Sequence, residues 1–150
     1  MPPQPDQTPD PPPLVFTADP AAVRAALARL LAAAPVQDLP EDDRGTVELV
    51  LAEVLNNVAE HAYAGGSGPV EVGLFATPLG LACQIVDRGL AMPGSKLPGG
   101  GLPDVAPPDF PEGGFGWHLI RSLTADLTYA RSAGQNRLSF LIPLSQPDRA

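Results

Sequence analysis

Three polar side chains lie four residues apart in the segment L-A-E-V-L-N-N-V-A-E-H-A-Y, which runs from Leu51 to Tyr63. They are Glu53, Asn57 and His61. A carboxylate, an amide and an imidazole are groups that bind polar ligands and exchange protons. Because a helix turns about 100° per residue, steps of four keep the three groups on one stripe. The stripe flanks the apolar face, so the sequence predicts the floor of a pocket, although purely structural amphipathic helices share this pattern.

A second candidate, Asp87-Arg88-Gly89, stands where a predicted buried strand leaves the sheet. An acidic side chain there can accept a hydrogen bond from an exocyclic amine such as that of adenine. Gly89 lets the backbone approach a flat ligand closely. By itself, however, Asp-x-Gly is also a common turn signal.

A third candidate is the glycine-rich segment Gly113-Gly114-Phe115-Gly116, which leads directly into a predicted helix. The free N–H groups and the dipole of a helix N-terminus attract phosphate oxygens. The segment lacks the P-loop pattern G-x-x-x-x-G-K-[ST] and does not follow a strand in a βαβ unit. P-loop and dinucleotide-binding folds are therefore disfavoured, and the segment alone is a weak indication of a phosphate site.

The elements that position these candidates follow from periodicity and turn signals. Residues 1–13 are proline-rich and are expected to form a disordered or polyproline II tail. Asp19-Pro20 supplies a helix N-cap and a proline at the first helical position. The predicted elements are strands over 14–17, 70–77, 81–86, 127–131 and 137–143, with helices over 20–34, 41–65 and 116–125.

The predicted strands and helices indicate one α+β domain over residues 14–146. Strands 70–77 and 81–86 should form an antiparallel hairpin, and residues 132–136 should join the last two strands. Residues 88–113 are rich in glycine and proline, and a loop of that length is usually a lid, a binding loop or disordered. We expect a two-layer sandwich with a mixed, mostly antiparallel sheet and helices on one face.

Composition limits the class of protein. A length of 150 residues suits one domain, and a net charge of −8 argues against binding nucleic acid or an anionic membrane surface. No apolar stretch reaches membrane-spanning length and the N-terminus lacks signal-peptide features, so a cytoplasmic protein is expected. Cys83, within an apolar run, is expected to be a buried strand residue and not a nucleophile.

The order of the motifs is uncommon. A helical E-x-x-x-N precedes D-x-G after a strand, then a segment rich in glycine and proline, then G-x-G opening a helix. In this order, residues 14–144 resemble the GHKL superfamily of ATP-binding domains. The segments E-V-L-N-N-V-A-E-H-A-Y and E-G-G-F-G-W-H-L-I look most like those of the anti-sigma-factor serine kinases. The resemblance implies the Bergerat (histidine-kinase-like ATPase) fold, with residues 88–113 as the ATP lid.

The resemblance also implies a role for each motif. Asn57 matches the asparagine that holds the Mg²⁺ bridging the nucleotide phosphates, and Glu53 matches the glutamate taken as general base. Asp87 matches the aspartate that reads adenine, whereas His61 is expected to support the site from outside it. The expected nucleotide-contacting positions are Asn57, Asp87, Gly89, Gly113, Gly114, Phe115 and Gly116.

The function implied by this resemblance is that of an anti-sigma factor serine/threonine kinase. Such a protein binds Mg-ATP, phosphorylates a STAS-type anti-anti-sigma partner, sequesters a sigma factor and can form a homodimer. Ala91 replaces the second glycine of D-x-G-x-G, which fits the anti-sigma branch. The lid has no obvious arginine, so Lys96, Arg88, Arg121 or a partner must supply the cation for the γ-phosphate. Two alternatives stay open: a regulatory interaction module, with or without ATP, and an ATPase or phosphatase accessory domain.

Overall fold

The computed structural model of this chain describes residues 12–64, 66–92 and 114–145. The predicted tail up to residue 11, the predicted lid from residue 93, Gly113 and the side chain of Phe115 lie outside this description. A 3₁₀ turn over Val36–Asp38 lies in the predicted loop between the first two helices. The elements in chain order are β1 (Leu14–Ala18), α1 (Pro20–Leu31), α2 (Glu41–Asn57), β2 (Gly68–Thr77), β3 (Gly80–Asp87), α3 (Gly114–Leu123), β4 (Ala125–Ser132) and β5 (Gln135–Ile142).

The described strands form one open sheet in the order β1-β2-β3-β5-β4. Each neighbouring pair is antiparallel, so the sheet expected to be mixed is antiparallel throughout these strands. Alternate residues of β3 enter the core, as the two-residue period of a strand requires; they include Leu81, Cys83 and Ile85. Burial raises the pKa of the Cys83 thiol to about 12, so the thiol stays protonated at neutral pH. The predicted buried strand position is confirmed.

The helices cover one face of this sheet. Helices α1 and α2 pack on each other, and their apolar side chains share one core with the inward-facing strand residues. Asp19 caps α1 as predicted, because its Oδ1 accepts a hydrogen bond from the Ala22 N–H at 2.8 Å. Helix α1 ends at Leu31, before the predicted residue 34, since the position preceding Pro35 disfavours helical geometry. The predicted two-layer α+β fold is confirmed. No helix among the described ranges is long and apolar enough to cross a membrane.

The winding of the chain changes directly after α2. Residues Val58–Ala62 form a π turn, in which the Tyr63 N–H donates to the carbonyl five residues earlier at 3.1 Å. The wider turn alters the angular position of every side chain that follows it. The predicted single stripe of Glu53, Asn57 and His61 is therefore wrong beyond Asn57, and His61 is exposed.

The hairpin of β4 and β5 is tighter than predicted. Instead of a connection over residues 132–136, only Ala133 and Gly134 separate the two strands. Both residues have positive φ angles, 52° and 77°, as in a type I′ turn. Alanine is uncommon in this conformation, so the sequence carries no Asn-Gly type signal here. The short turn places Asn136 inside β5, directly opposite Asp87.

Candidate functional site

The first part of the site forms where α3 packs on α2. Gly116, in the first turn of α3, lies against the side chains of Glu53 and Asn57. A Cβ atom at Gly116 would come within 2.6 Å of Glu53 Oε2 and 3.8 Å of Asn57 Nδ2. Three residues that were predicted to share a site therefore meet, and glycine at position 116 leaves room for the Glu53 carboxylate.

The side-chain amide nitrogen of Asn57 is a buried polar atom. Its Nδ2 makes no hydrogen bond within the part of the chain that the structure describes. More than about nine in ten buried polar groups in proteins are paired, and an unpaired one costs about 1–3 kcal/mol. Rotation about the terminal side-chain bond exchanges Nδ2 with Oδ1, so the position can offer a ligand either a donor or an acceptor. A bound ligand can therefore supply the partner that the Asn57 amide lacks among the described residues.

The N-terminus of α3 lies beside Glu53 and Asn57, because Gly116 is in its first turn. The helix begins at Gly114, two residues before its predicted start. Its first N–H groups have no acceptors within the helix, and the helix dipole favours an anion beside them. Trp117 and Ile120 are buried and fix α3 against the core. An anion at this end would lie near Glu53 and Asn57.

The second part of the site is the end of β3. Asp87 is only 6% exposed. Its Oδ1 accepts hydrogen bonds from the Gly89 N–H and from Asn136 Nδ2, both at 2.8 Å. Among the described residues, both hydrogen bonds to this carboxylate go to Oδ1. Oδ2 is therefore the oxygen that these contacts leave for a ligand.

Gly89 packs closely against protein backbone, a contact that the sequence did not indicate. A Cβ atom there would lie 2.3 Å from the carbonyl oxygen of Ala62, at the end of the π turn. The next residue confirms this contact, because the Leu90 N–H donates to the same carbonyl at 2.7 Å. Glycine is thus required for packing against the π turn that follows α2. Contact of Gly89 with a ligand stays a prediction.

Tyr63 fixes the same segment from the α2 side. Its hydroxyl accepts a hydrogen bond from the Arg88 N–H at 2.9 Å and donates to the Pro69 carbonyl at 2.5 Å. Burial is the main cause that raises the pKa of this phenol above its ordinary value. The hydroxyl therefore stays protonated and can serve as donor and acceptor together.

Sequence reasoning missed Asn136, because it placed this residue in a loop. Its amide is 5% exposed and contacts Asp87, the Gly89 carbonyl at 3.3 Å and the Leu90 carbonyl at 2.9 Å. A signal was present in β5, where the buried positions 138, 140 and 142 alternate. Extending this period of two backwards reaches Asn136 and marks it as inward-facing.

Comparison with protein-family models matches residues 16–142 to the histidine kinase-like ATPase domain. The chain belongs to this family. Comparison with curated proteins gave no match.

Two solved structures share this fold. A blue-light activated histidine kinase from Erythrobacter litoralis is 21% identical, with a TM-score of 0.54, over 84% of this chain and 41% of that one. The RsbU and RsbW domains of Rv1364c from Mycobacterium tuberculosis are also 21% identical, with a TM-score of 0.53, over 93% of this chain and 34% of that one. This chain thus spans less than half the length of either protein, and at this identity the likeness shows the fold alone.

Membership in the histidine kinase-like ATPase family implies that the domain binds ATP, typically with Mg²⁺. Magnesium on a nucleotide keeps phosphate and water oxygens and takes few ligands from the protein. Asn57 fits this requirement, because its amide nitrogen has no partner among the described residues and rotation of the amide can present its oxygen to a metal ion instead. Among the described residues, no group of three or more His, Cys, Asp and Glu side chains could hold a metal ion.

Proposed function

We propose that this domain is an anti-sigma factor serine/threonine kinase. It binds Mg-ATP, phosphorylates a serine on a STAS-type anti-anti-sigma protein, and sequesters a sigma factor when that protein is unavailable. The family, the resemblance of the two motif segments and the RsbW domain among the structural neighbours support this proposal. The observation that carries it is the meeting of Glu53, Asn57 and Gly116 beside a helix N-terminus.

Glu53 is the proposed general base. Its carboxylate lies against Gly116, in the turn of α3 whose N–H groups suit phosphate oxygens. A serine hydroxyl of the partner gives its proton to Glu53 while its oxygen bonds to the γ-phosphorus. The bond between that phosphorus and the β–γ bridging oxygen breaks, and ADP leaves.

The remaining residues hold the nucleotide. Asn57 provides an amide oxygen for Mg²⁺, which when bound neutralises charge on the phosphates. Asp87 accepts a hydrogen bond from the adenine amine through the oxygen that Gly89 and Asn136 do not engage. The phosphate-side positions are Gly113, Gly114, Phe115 and Gly116.

Replacing the base separates transfer from binding. Glu53→Gln keeps the shape of the side chain and removes its basicity, so phosphotransfer should fall by about 100- to 10,000-fold. Binding of Mg-ATP, measured by calorimetry, should change little. Glu48→Gln is the matched control, because Glu48 is an exposed carboxylate on the same helix. Unchanged transfer by Glu53→Gln would contradict the assignment of the base.

The proposed partner can be identified with the same reaction. The protein is incubated with radiolabelled ATP and STAS-type proteins from the same genome, and the labelled residue is mapped. We expect one serine on one such protein to carry the label, and the unphosphorylated form to release the sigma factor. Sedimentation of the complexes also tests the proposed homodimer. Labelling of none of these proteins would count against the kinase.

A second function is an ATP-binding regulatory module without transfer. It is favoured by the sequence of residues 88–113, which contains Arg88 and Lys96 as its only basic side chains. In that case calorimetry shows Mg-ATP binding, and Glu53→Gln and the wild type are equally inactive. Absence of binding at millimolar ATP would instead favour a module that acts through protein contacts alone.

A further inference from the structure

The Asn136 amide has hydrogen-bond partners at both of its polar atoms. Its Oδ1 accepts from the Tyr129 hydroxyl at 2.6 Å and from Arg131 Nη1 at 2.7 Å. Its Nδ2 lies 2.8 Å from Asp87 Oδ1 and 2.9 Å from the Leu90 carbonyl, with a longer contact to Gly89. Because donors surround the oxygen and acceptors surround the nitrogen, the amide has one favourable orientation. That orientation directs an N–H at the Asp87 carboxylate.

The same hairpin also holds the chain that follows Asp87. Arg131 Nη1 donates to the Gly89 carbonyl at 3.0 Å, and the Tyr129 hydroxyl accepts from the Met92 N–H at 3.1 Å. Two residues of β4, two positions apart, thus bond both to Asn136 and to this segment. Charged donors such as Arg131 make stronger hydrogen bonds than neutral ones. Asn136, Tyr129 and Arg131 together form what we call the hairpin clamp.

The opposite side of this segment is held by the π turn that follows α2 and by Tyr63 directly after it. Ala62 accepts from the Leu90 N–H, Tyr63 accepts from the Arg88 N–H, and Gly89 packs directly on Ala62. Residues 88–92 are therefore fixed between two elements that the sequence places far apart. The π turn directly follows Asn57, so residues 88–92 connect the hairpin clamp to the Asn57 side of the site.

We propose that Asn136 is a positioning residue for adenine recognition: it orients the Asp87 carboxylate and, with Tyr129 and Arg131, holds residues 89–92 in place. This inference rests on the proposed nucleotide-binding function. Adenine presents an amine donor at its six-position, whereas guanine presents a carbonyl acceptor. A carboxylate fixed by donors on one oxygen offers its other oxygen as an acceptor, which suits adenine and repels guanine. Asn136 thereby contributes to the choice of base without contacting it.

The first test does not require a nucleotide. In the free full-length protein, amide hydrogen exchange is measured for Asn136→Ala and the wild type. The Gly89 and Met92 amides should lose protection in the variant, since their acceptors Asp87 and Tyr129 both bond to Asn136. Unchanged protection at both amides would overturn the clamp.

The second test measures binding of ATP and of GTP by calorimetry. Asn136→Ala should weaken ATP binding by about tenfold, the loss expected for one well-placed hydrogen bond, and should change GTP binding by less than about twofold. A purely structural role would weaken both nucleotides equally, and that result would overturn the proposal. The ATP to GTP ratio is therefore the readout that separates positioning from stability.

Thr77→Val is the matched control. The Thr77 hydroxyl bonds to the Gly80 carbonyl at 2.7 Å and to the Leu79 and Gly80 N–H groups, in the turn at the far end of β2 and β3. Its loss removes a similar set of hydrogen bonds from the same sheet, away from Asp87. Both the exchange at Gly89 and the ATP to GTP ratio should stay as in the wild type.

A milder variant keeps the proposal testable where Asn136→Ala does not fold. Tyr129→Phe removes only the hydroxyl that bonds to Asn136 and Met92. It should lower protection at Met92 and reduce the ATP to GTP ratio in the same direction, by a smaller factor. If the wild type binds neither nucleotide, the proposed function fails, whereas the exchange data still decide whether Asn136 holds this segment.

Discussion

Two asparagines at the two halves of the site have opposite surroundings. Asn136 lies in β5 with partners at both amide atoms, among them a carboxylate and a guanidinium. Asn57 lies at the end of α2, and its buried Nδ2 has no partner among the described residues. The asparagine amide therefore has its hydrogen bonds satisfied within the protein at position 136, whereas at position 57 its nitrogen has no partner among the described residues. A saturated amide stabilises the fold, whereas an unsaturated one costs stability that a ligand can restore.

This difference predicts different roles for the two residues. Asn136 should matter for stability and, through Asp87, for the choice of base. Asn57 should matter for ligand binding and hardly at all for folding. The comparison would be wrong if substitution of Asn57 lowered stability and substitution of Asn136 affected ligand binding alone.

The largest effect is expected for Asn136→Leu. The change removes the hydrogen bonds of Asn136 with the Asp87 carboxylate, two backbone carbonyls and the Tyr129 hydroxyl, so the free energy of unfolding should fall by about 3 kcal/mol. Urea denaturation followed by circular dichroism measures it. A loss below about 1 kcal/mol would show that water replaces these bonds readily.

The opposite result is expected for Asn57→Leu. Removing a buried amide nitrogen that has no partner among the described residues should leave stability unchanged or raise it by up to about 1 kcal/mol. Affinity for Mg-ATP should fall roughly 100-fold, which is the upper range of the loss caused by mutating residues around a metal site. Asn56→Ala, next to it but exposed, should alter neither quantity. A strong loss of stability in Asn57→Leu would mean that its amide has a structural partner after all.

A smaller effect is expected for Gly116→Ala, which tests the close approach of Gly116 to the Glu53 carboxylate. The added methyl would displace the Glu53 carboxylate, so phosphotransfer should fall on the order of tenfold. Helix propensity should meanwhile raise stability by about 0.5–1 kcal/mol. Gly45→Ala is the control, since a Cβ there meets nothing within 4 Å. It should bring the same stability gain with normal transfer, and equal losses in both variants would refute the contact.

The smallest effect is expected in the turn that carries Asn136. Ala133 has a φ of 52°, so Ala133→Asn should raise the free energy of unfolding by about 0.5–1 kcal/mol. Thermal unfolding measures the gain, and the affinity for ATP should not change. Gly134→Ala, at a φ of 77°, should lower stability instead. A gain in both variants would exclude the type I′ geometry.

Local signals in the sequence predicted most of the fold. The Asp19-Pro20 start of α1, the hairpin of β2 and β3 and the buried Cys83 each depend on neighbouring residues, and each is confirmed. The winding after Asn57 could not be predicted, because α and π turns use the same residue types and differ only in hydrogen-bond partners.

Part of the candidate site could also be predicted, because it consists of local motifs in the sequence. Glu53, Asn57 and Gly116 belong to recognisable motifs, and the structure brings them together. Asn136 belongs to no motif, and its importance arises from lying opposite Asp87 across two strands. Such a pairing depends on the register of the whole sheet, which a one-residue change in a turn would shift.

The sequence by itself determined the family, the α+β layers and the polar groups of α2, β3 and α3, since these follow from spacing along the chain. Only the tertiary structure decided which of these groups are satisfied. It left the Asn57 amide nitrogen without a partner among the described residues, placed Gly89 against the π turn that follows α2 and surrounded Asn136 with partners. Hydrogen-bond satisfaction depends on groups that are distant in sequence and adjacent in space, and so it appears only when the chain is folded.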